Sequence, residues 1–104
     1  MRTKPKPLQN SPTGVKAVAP WRVREVIVHP HFRLEVEFMD GTRGVVDLSR
    51  KILSDQAGVF ARLRDPVFFR QVFVEYGAVT WPGELDLAPD AMYDQIKETG
   101  QWIL

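Results

Sequence analysis

The sequence predicts an α+β fold: a small single domain with two antiparallel β-hairpin units, a short middle helix and a C-terminal helix. Three observations carry this expectation. Apolar and charged residues alternate strictly from Phe32 to Phe38; glycine turns at Asp40-Gly41 and at Gly77 each separate two β-rich segments; and Asp65-Pro66 and Pro89 both mark helix starts. The chain has 104 residues, of which 44% are hydrophobic and 26% charged, the proportions of an ordinary globular domain. It contains no cysteine, so disulfide scaffolds and thiolate zinc sites are excluded and one packed core must supply the stability.

The first hairpin unit follows from side-chain parity. Phe32, Leu34, Val36 and Phe38 share one face, and Arg33, Glu35 and Glu37 share the other, as a half-buried strand requires. Trp21 to Val28 is also β-rich, but its apolar parity is blurred between Arg24 and Ile27, the signature of a bulge or of burial on both faces. Pro30, between His29 and His31, supplies the turn. At Asp40-Gly41 a two-residue loop would set Phe38 opposite Arg43 and Leu34 opposite Asp47, placing charges on the apolar face. A three-residue loop, Met39-Asp40-Gly41, instead pairs Phe38 with Thr42, Val36 with Gly44, Leu34 with Val46 and Phe32 with Leu48. Glu37 then meets Arg43 and Arg33 meets Asp47, so the three-residue register is the one expected.

Beyond the hairpin, Ser49 is expected to cap a short turn through Leu53, and Asp55 to Gly58 to form a loop. The aspartate of Asp65-Pro66 offers an acceptor to free helix amides and the proline fits the first helical position, predicting a helix from Pro66 to about Gln71 with Phe68 and Phe69 on the core. Val72–Tyr76 and Ala78–Trp81 form the second hairpin, ended by Pro82-Gly83. Pro89 opens the last helix, with Asp90 in its first turn, Met92 and Ile96 on one stripe, Tyr93 beside them, Lys97 near the end and Gly100 as the stop.

Charge is unevenly divided. Residues 1–20 hold Arg2, Lys4, Lys6 and Lys16 with no acid, whereas the remainder carries ten basic and thirteen acidic side chains. Four of the eight prolines also lie in that first stretch. Residues 1–14 therefore read as a disordered, basic, proline-rich tail ahead of a single α+β domain at 15–104. Four phosphate contacts from such a tail give weak, salt-sensitive nucleic-acid binding without sequence choice. No apolar run approaches membrane-spanning length and no signal peptide is evident, so a cytoplasmic location without membrane contact is expected.

Candidate chemistry is sparse. His29 and His31 can share a strand face, but a metal would need a third ligand such as Glu25 or Asp47 that the sequence does not specify. Asp86 and Asp90 have the spacing of a carboxylate pair for acid/base chemistry, but the preferred reading makes them turn and helix-start residues stabilised by free amides. No glycine-rich phosphate loop occurs. No catalytic residue, metal or cofactor is assigned. Trp81, before Pro-Gly at a strand end, reads either as a half-exposed interface anchor or as core closure over the last helix. Trp102-Ile103-Leu104 is an apolar end after the helix stop, too short for an element of its own, which a partner or the domain itself must cover. With Asp86, Asp90 and Tyr93, Trp81 and Trp102 make up the candidate binding residues.

The ordered string from Phe38 through Asp40-Gly41, Val45-Val46-Asp47-Leu48, Gly58-Val59-Phe60, Leu63-Arg64-Asp65-Pro66, Phe69, Val72, Val74 and Trp81-Pro82 to Asp86-Leu87-Ala88-Pro89-Asp90 and Tyr93 resembles the bacterial domain-of-unknown-function family 2442. The resemblance spans roughly residues 15 to 97. It implies a small bacterial α+β domain, often encoded beside another small protein and in some relatives joined to a DNA-binding helix-turn-helix, a second domain not expected within these 104 residues. After Trp81-Pro82, where members often show Asn-Gly, this chain has Gly83-Glu84. The family brings no established activity. The leading functional expectation is accordingly a protein–protein interaction module, the partner or antitoxin-like half of a two-gene pair, binding the neighbouring gene product or a second copy of itself. A nucleic-acid-associated transcriptional regulator is the alternative, and a small enzyme without a recognisable motif the second.

Overall fold

The alternation of β2 (Arg33–Phe38) sets the architecture. Its Leu34, Val36 and Phe38 are buried while Arg33, Glu35 and Glu37 face outward. The computed structural model describes residues 19–104; the tail expected at 1–14 lies outside the described residues. β1 (Val23–His29) and β3 (Arg43–Asp47) flank β2 antiparallel. The expected three-residue register holds, with Val36 opposite Gly44, Leu34 opposite Val46, Glu37 opposite Arg43 and Arg33 opposite Asp47. Met39-Asp40-Gly41 closes it: the Thr42 amide donates to Asp40 Oδ1 at 2.9 Å, and Gly41 takes the left-handed conformation at φ 88°. In β1 the register shifts between Val23 and Glu25, so Arg24 is the bulged residue. The bulge explains the blurred parity, because Val23 before it and Val26 and Val28 after it all face the core.

The helical connections depart from expectation in instructive ways. α1 (Ser49–Leu53) begins with Ser49 inside the helix rather than capping it. Leu48 occupies the cap position because its side chain is needed in the core, and Asp47 supplies the acceptor: Oδ1 takes the Ser49 amide at 2.9 Å and the Ser49 hydroxyl at 2.7 Å. Gly58–Arg64, to which the sequence assigned no element, is a 3₁₀ helix that buries Leu63. Arg64 fastens it to α1 through the carbonyls of Ile52, at 2.8 Å, and Ser54, at 3.0 Å. α2 (Pro66–Phe69) starts as expected, with Asp65 Oδ1 accepting the Val67 amide at 2.9 Å, but stops two residues short of Gln71 in a tightened turn.

The second hairpin, β4 (Phe73–Glu75) and β5 (Ala78–Trp81), turns at Tyr76-Gly77. Trp81 does not end the sheet: Pro82-Gly83-Glu84 turns the chain into β6 (Leu85–Asp86), making three strands in the order β4-β5-β6. α3 (Pro89–Thr99) buries Met92 and Ile96 and ends on Gly100 in the left-handed conformation. The apolar end is then an element after all. Residues Gln101–Ile103 form β7, which pairs in parallel with β3, Val46 facing Trp102 and Asp47 facing Ile103. The first sheet thus has the order β1-β2-β3-β7. Trp102 is half-buried against one core shared by both sheets and all the helical segments. The free edge of β3 makes this possible, since its backbone groups remain to be paired once β2 has taken the other side.

β7 can reach β3 only because position 44 has no side chain. A Cβ there would lie 2.8 Å from the Gly100 carbonyl oxygen and 2.9 Å from Ile96 Cγ1. Gly44→Ala is therefore expected to destabilise the fold by about 1–3 kcal/mol through overpacking. Urea denaturation measures the loss, and amide exchange should show β7 loosening first; an unchanged midpoint would mean that α3 moves aside without cost.

Candidate functional site

The five candidate binding residues occupy different places. Trp81 is fully buried; its indole N–H donates to the Phe69 carbonyl at 2.9 Å and its ring lies 5.8 Å from that of Phe69. It closes the core and presents no surface. Trp102 packs inward from β7. Asp86 is exposed on β6 opposite Thr80, and Asp90 is exposed in the first turn of α3, where Oδ1 accepts the Ala91 amide at 2.9 Å. Tyr93 makes the long-range polar contact at the surface: its hydroxyl donates to Asp40 Oδ2 at 2.7 Å, tying α3 to the β2–β3 turn. Its ring meets Phe38 edge-on at 5.1 Å, with the Lys97 ammonium 5.8 Å from its centre.

This contact shifts both partners. Partial burial together with the Asp40 hydrogen bond and charge pushes the Tyr93 hydroxyl up to about 12. For Asp40, burial opposes ionisation, but the hydrogen bonds from Tyr93 and Thr42 prevail and hold the carboxyl below its ordinary range.

The outer face of the first sheet is open to solvent. Across its middle, Ile27 on β1, Glu35 on β2, Val45 on β3 and Gln101 on β7 stand in one row. Ile103 lies diagonally beside Val45. Ile27, Val45 and Ile103 are 40%, 36% and 47% exposed and gather three branched apolar side chains on one sheet face. Most of the surrounding charges are mutually engaged. His29 Nε2 is 3.0 Å from Glu35, Arg43 reaches Glu35 and Glu37 at 3.2 Å each, and Arg33 lies 3.8 Å from Asp47. The His29 contact, assisted by Arg43, lowers the Glu35 carboxyl. Asp47 is lowered by the Ser49 hydroxyl against a smaller effect of burial. Sequence reasoning passed over Ile27 and Val45, although the hairpin register already placed Val45 on the charged face, and it noted Ile103 only as part of an apolar end to be covered, not as a neighbour of Val45.

His29 and His31 do not share a strand face. His29 ends β1, whereas His31 sits in the turn at φ 63°, followed by Phe32 at φ 59°. Among the described residues no three His, Cys, Asp or Glu side chains are gathered to hold a metal, and no helix is long and apolar enough to cross a membrane. The turn is bordered by two clefts: one of about 480 Å³ toward α2, and one of about 330 Å³ on the outer sheet face beside Arg33, Glu35 and Val45. None of the five candidates lines either.

Comparison with known families finds a match over residues 23–98 to the model of a protein of unknown function, DUF2442. No curated protein and no solved structure matches.

The Tyr93–Asp40 contact makes stability pH-dependent at both extremes. Because the folded state holds the Tyr93 proton more tightly than the unfolded chain, whose phenol titrates near 10, its contribution is complete below pH 10 and disappears as pH rises through about 12. Asp40 acts oppositely, contributing above 3.8 and losing its contribution as pH falls through its depressed folded value. Tyr93→Phe should cost about 1 kcal/mol at neutral pH and flatten the alkaline loss in urea melts collected from pH 8 to about 12. An alkaline limb equally steep in both proteins would refute the assignment.

Proposed function

The chain belongs to the DUF2442 family of proteins of unknown function, and from its surfaces we propose that it is a cytoplasmic protein–protein interaction module, one half of a two-gene pair, docking through the outer face of the first sheet. The observation that carries this reading is the exposed triad Ile27, Val45 and Ile103 on an otherwise charged face. Apolar side chains set among paired charges give an interface both apolar anchors and satisfied polar contacts. Three of the carboxylates on this face, Glu35, Glu37 and Asp47, already hold cationic partners, which limits the unpaired charge that a second chain would cover.

The nucleic-acid alternative is weaker on this surface. Among the described residues Glu25, Glu35, Glu37 and Asp47 share the face with only Arg33 and Arg43 as permanent cations, which opposes a phosphate backbone. The proposal assigns the chain no reaction. Its partner is the neighbouring gene product, and self-association through the same face is the competing occupant.

Val45→Glu places a charge at the centre of the triad while leaving the core untouched. It should weaken association with the neighbouring gene product by at least about tenfold, roughly 1.4 kcal/mol. Isothermal titration measures this, and a thermal melt should move by no more than about 5 °C. Equal affinity in both proteins would remove the sheet face from the interaction; loss of concentration-dependent sedimentation by the isolated chain would assign the face to self-association instead.

A further inference from the structure

The cleft of about 480 Å³ between the β1–β2 turn and α2 is of ligand-binding size. Its floor and walls are apolar: Val28 from β1, Phe32 from the β1–β2 turn, Phe69 from α2, and the faces of Pro30 and Pro66. Phe32 and Phe69 meet edge to face with ring centres 5.5 Å apart. The polar groups at its rim are His29, His31 and Arg70. No carboxylate lines it. Glu35 is engaged by His29 and Arg43 on the outer sheet face, and Asp65, next to Pro66, is turned to the Val67 amide. Among the described residues Arg70 forms no ion pair, in contrast to Arg33 and Arg43.

The rim is also rigid. His31 and Phe32 both hold left-handed backbone conformations, at φ 63° and 59°, which side chains adopt only where their surroundings enforce it. For Phe32 the enforcing contacts are visible: its ring is held against Phe69, and its carbonyl accepts the Leu48 amide at 2.9 Å. The turn is thus set before any ligand arrives, which lowers the ordering cost of binding.

We propose that this cleft binds a small aromatic carboxylate, its ring against Phe32, Phe69 and the prolines and its carboxylate on the Arg70 guanidinium. A planar guanidinium matches a carboxylate through two parallel hydrogen bonds. The aromatic floor favours a ring over an aliphatic chain. No carboxylate among the lining side chains opposes an anion there. Nothing in this assignment depends on the outer sheet face.

Amide chemical shifts of the full-length protein titrated with cinnamate, cinnamyl alcohol, acetate and inorganic phosphate test the proposal. Cinnamate should shift the His31, Phe32, Phe69 and Arg70 amides saturably below about 10 mM, with each of the other three probes at least about tenfold weaker. Arg70→Gln should weaken cinnamate by at least about tenfold while leaving the thermal midpoint unchanged, since Arg70 is exposed, and Arg70→Lys should fall between the two. The proposal is overturned if the alcohol binds as well as cinnamate, if acetate or phosphate alone binds as tightly, if Arg70→Gln retains full affinity, or if cinnamate leaves these amides unmoved.

Discussion

The close approach at Gly44 is the constraint on which the architecture rests. α3 crosses β3 where Ile96 and the Gly100 carbonyl occupy the space of a missing side chain, and the Val45 amide donates to that same carbonyl at 3.3 Å. From there the left-handed Gly100 redirects the backbone into β7. Had residue 44 carried a methyl group, the helix would stand farther from the sheet and the parallel pairing of Val46 with Trp102 would lose its starting point. The pairing in turn settles the outer face, because β7 brings Ile103 beside Val45.

Two further links join pieces that the chain separates. The buried indole of Trp81 reaches the Phe69 carbonyl, connecting the second sheet to α2 through a hydrogen bond within the apolar core. Such a bond contributes only about 1 kcal/mol net, yet loss of its acceptor would leave a buried donor unpaired at greater cost. Tyr93 and Asp40 do the same at the surface, between the last helix and the β2–β3 turn. Together with Gly44 they hold helix, hairpin and second sheet in one arrangement, and the outer face of the first sheet remains free for other use.

Local rules read the hairpin well. In β2 and β3, parity and charge agreed on one register, and the Asp65-Pro66 and Pro89 starts and the Gly100 stop are encoded within a few residues of where they act. What escaped was long-range. Nothing near Gly44 announces that Ile96 will lie against it, and Gln101–Ile103 is a strand only because β3 has a vacant edge. Leu48 took the cap position from Ser49 because the core, not the helix, decided its place. For the binding residues the limit was similar: Trp81-Pro82-Gly83 has the same sequence whether the ring points into the core or out of it, and only the position of Phe69 settles which. Ile27 and Val45 were accessible to the parity argument, since each stands among charges on its own strand.

The parallel pairing of β3 with β7 also bears on how the chain is made. β2 and β3 are contiguous and can form their hairpin early, whereas the strand that covers β3's other edge follows the second sheet and α3. Until the ribosome has released that segment, the nascent hairpin offers an uncovered row of amides and carbonyls flanked by Val45 and Val46. An open edge of this kind templates pairing with other chains. Slow translation through α3 and β7 would prolong that exposure, making the yield of native protein sensitive to codon choice in that stretch.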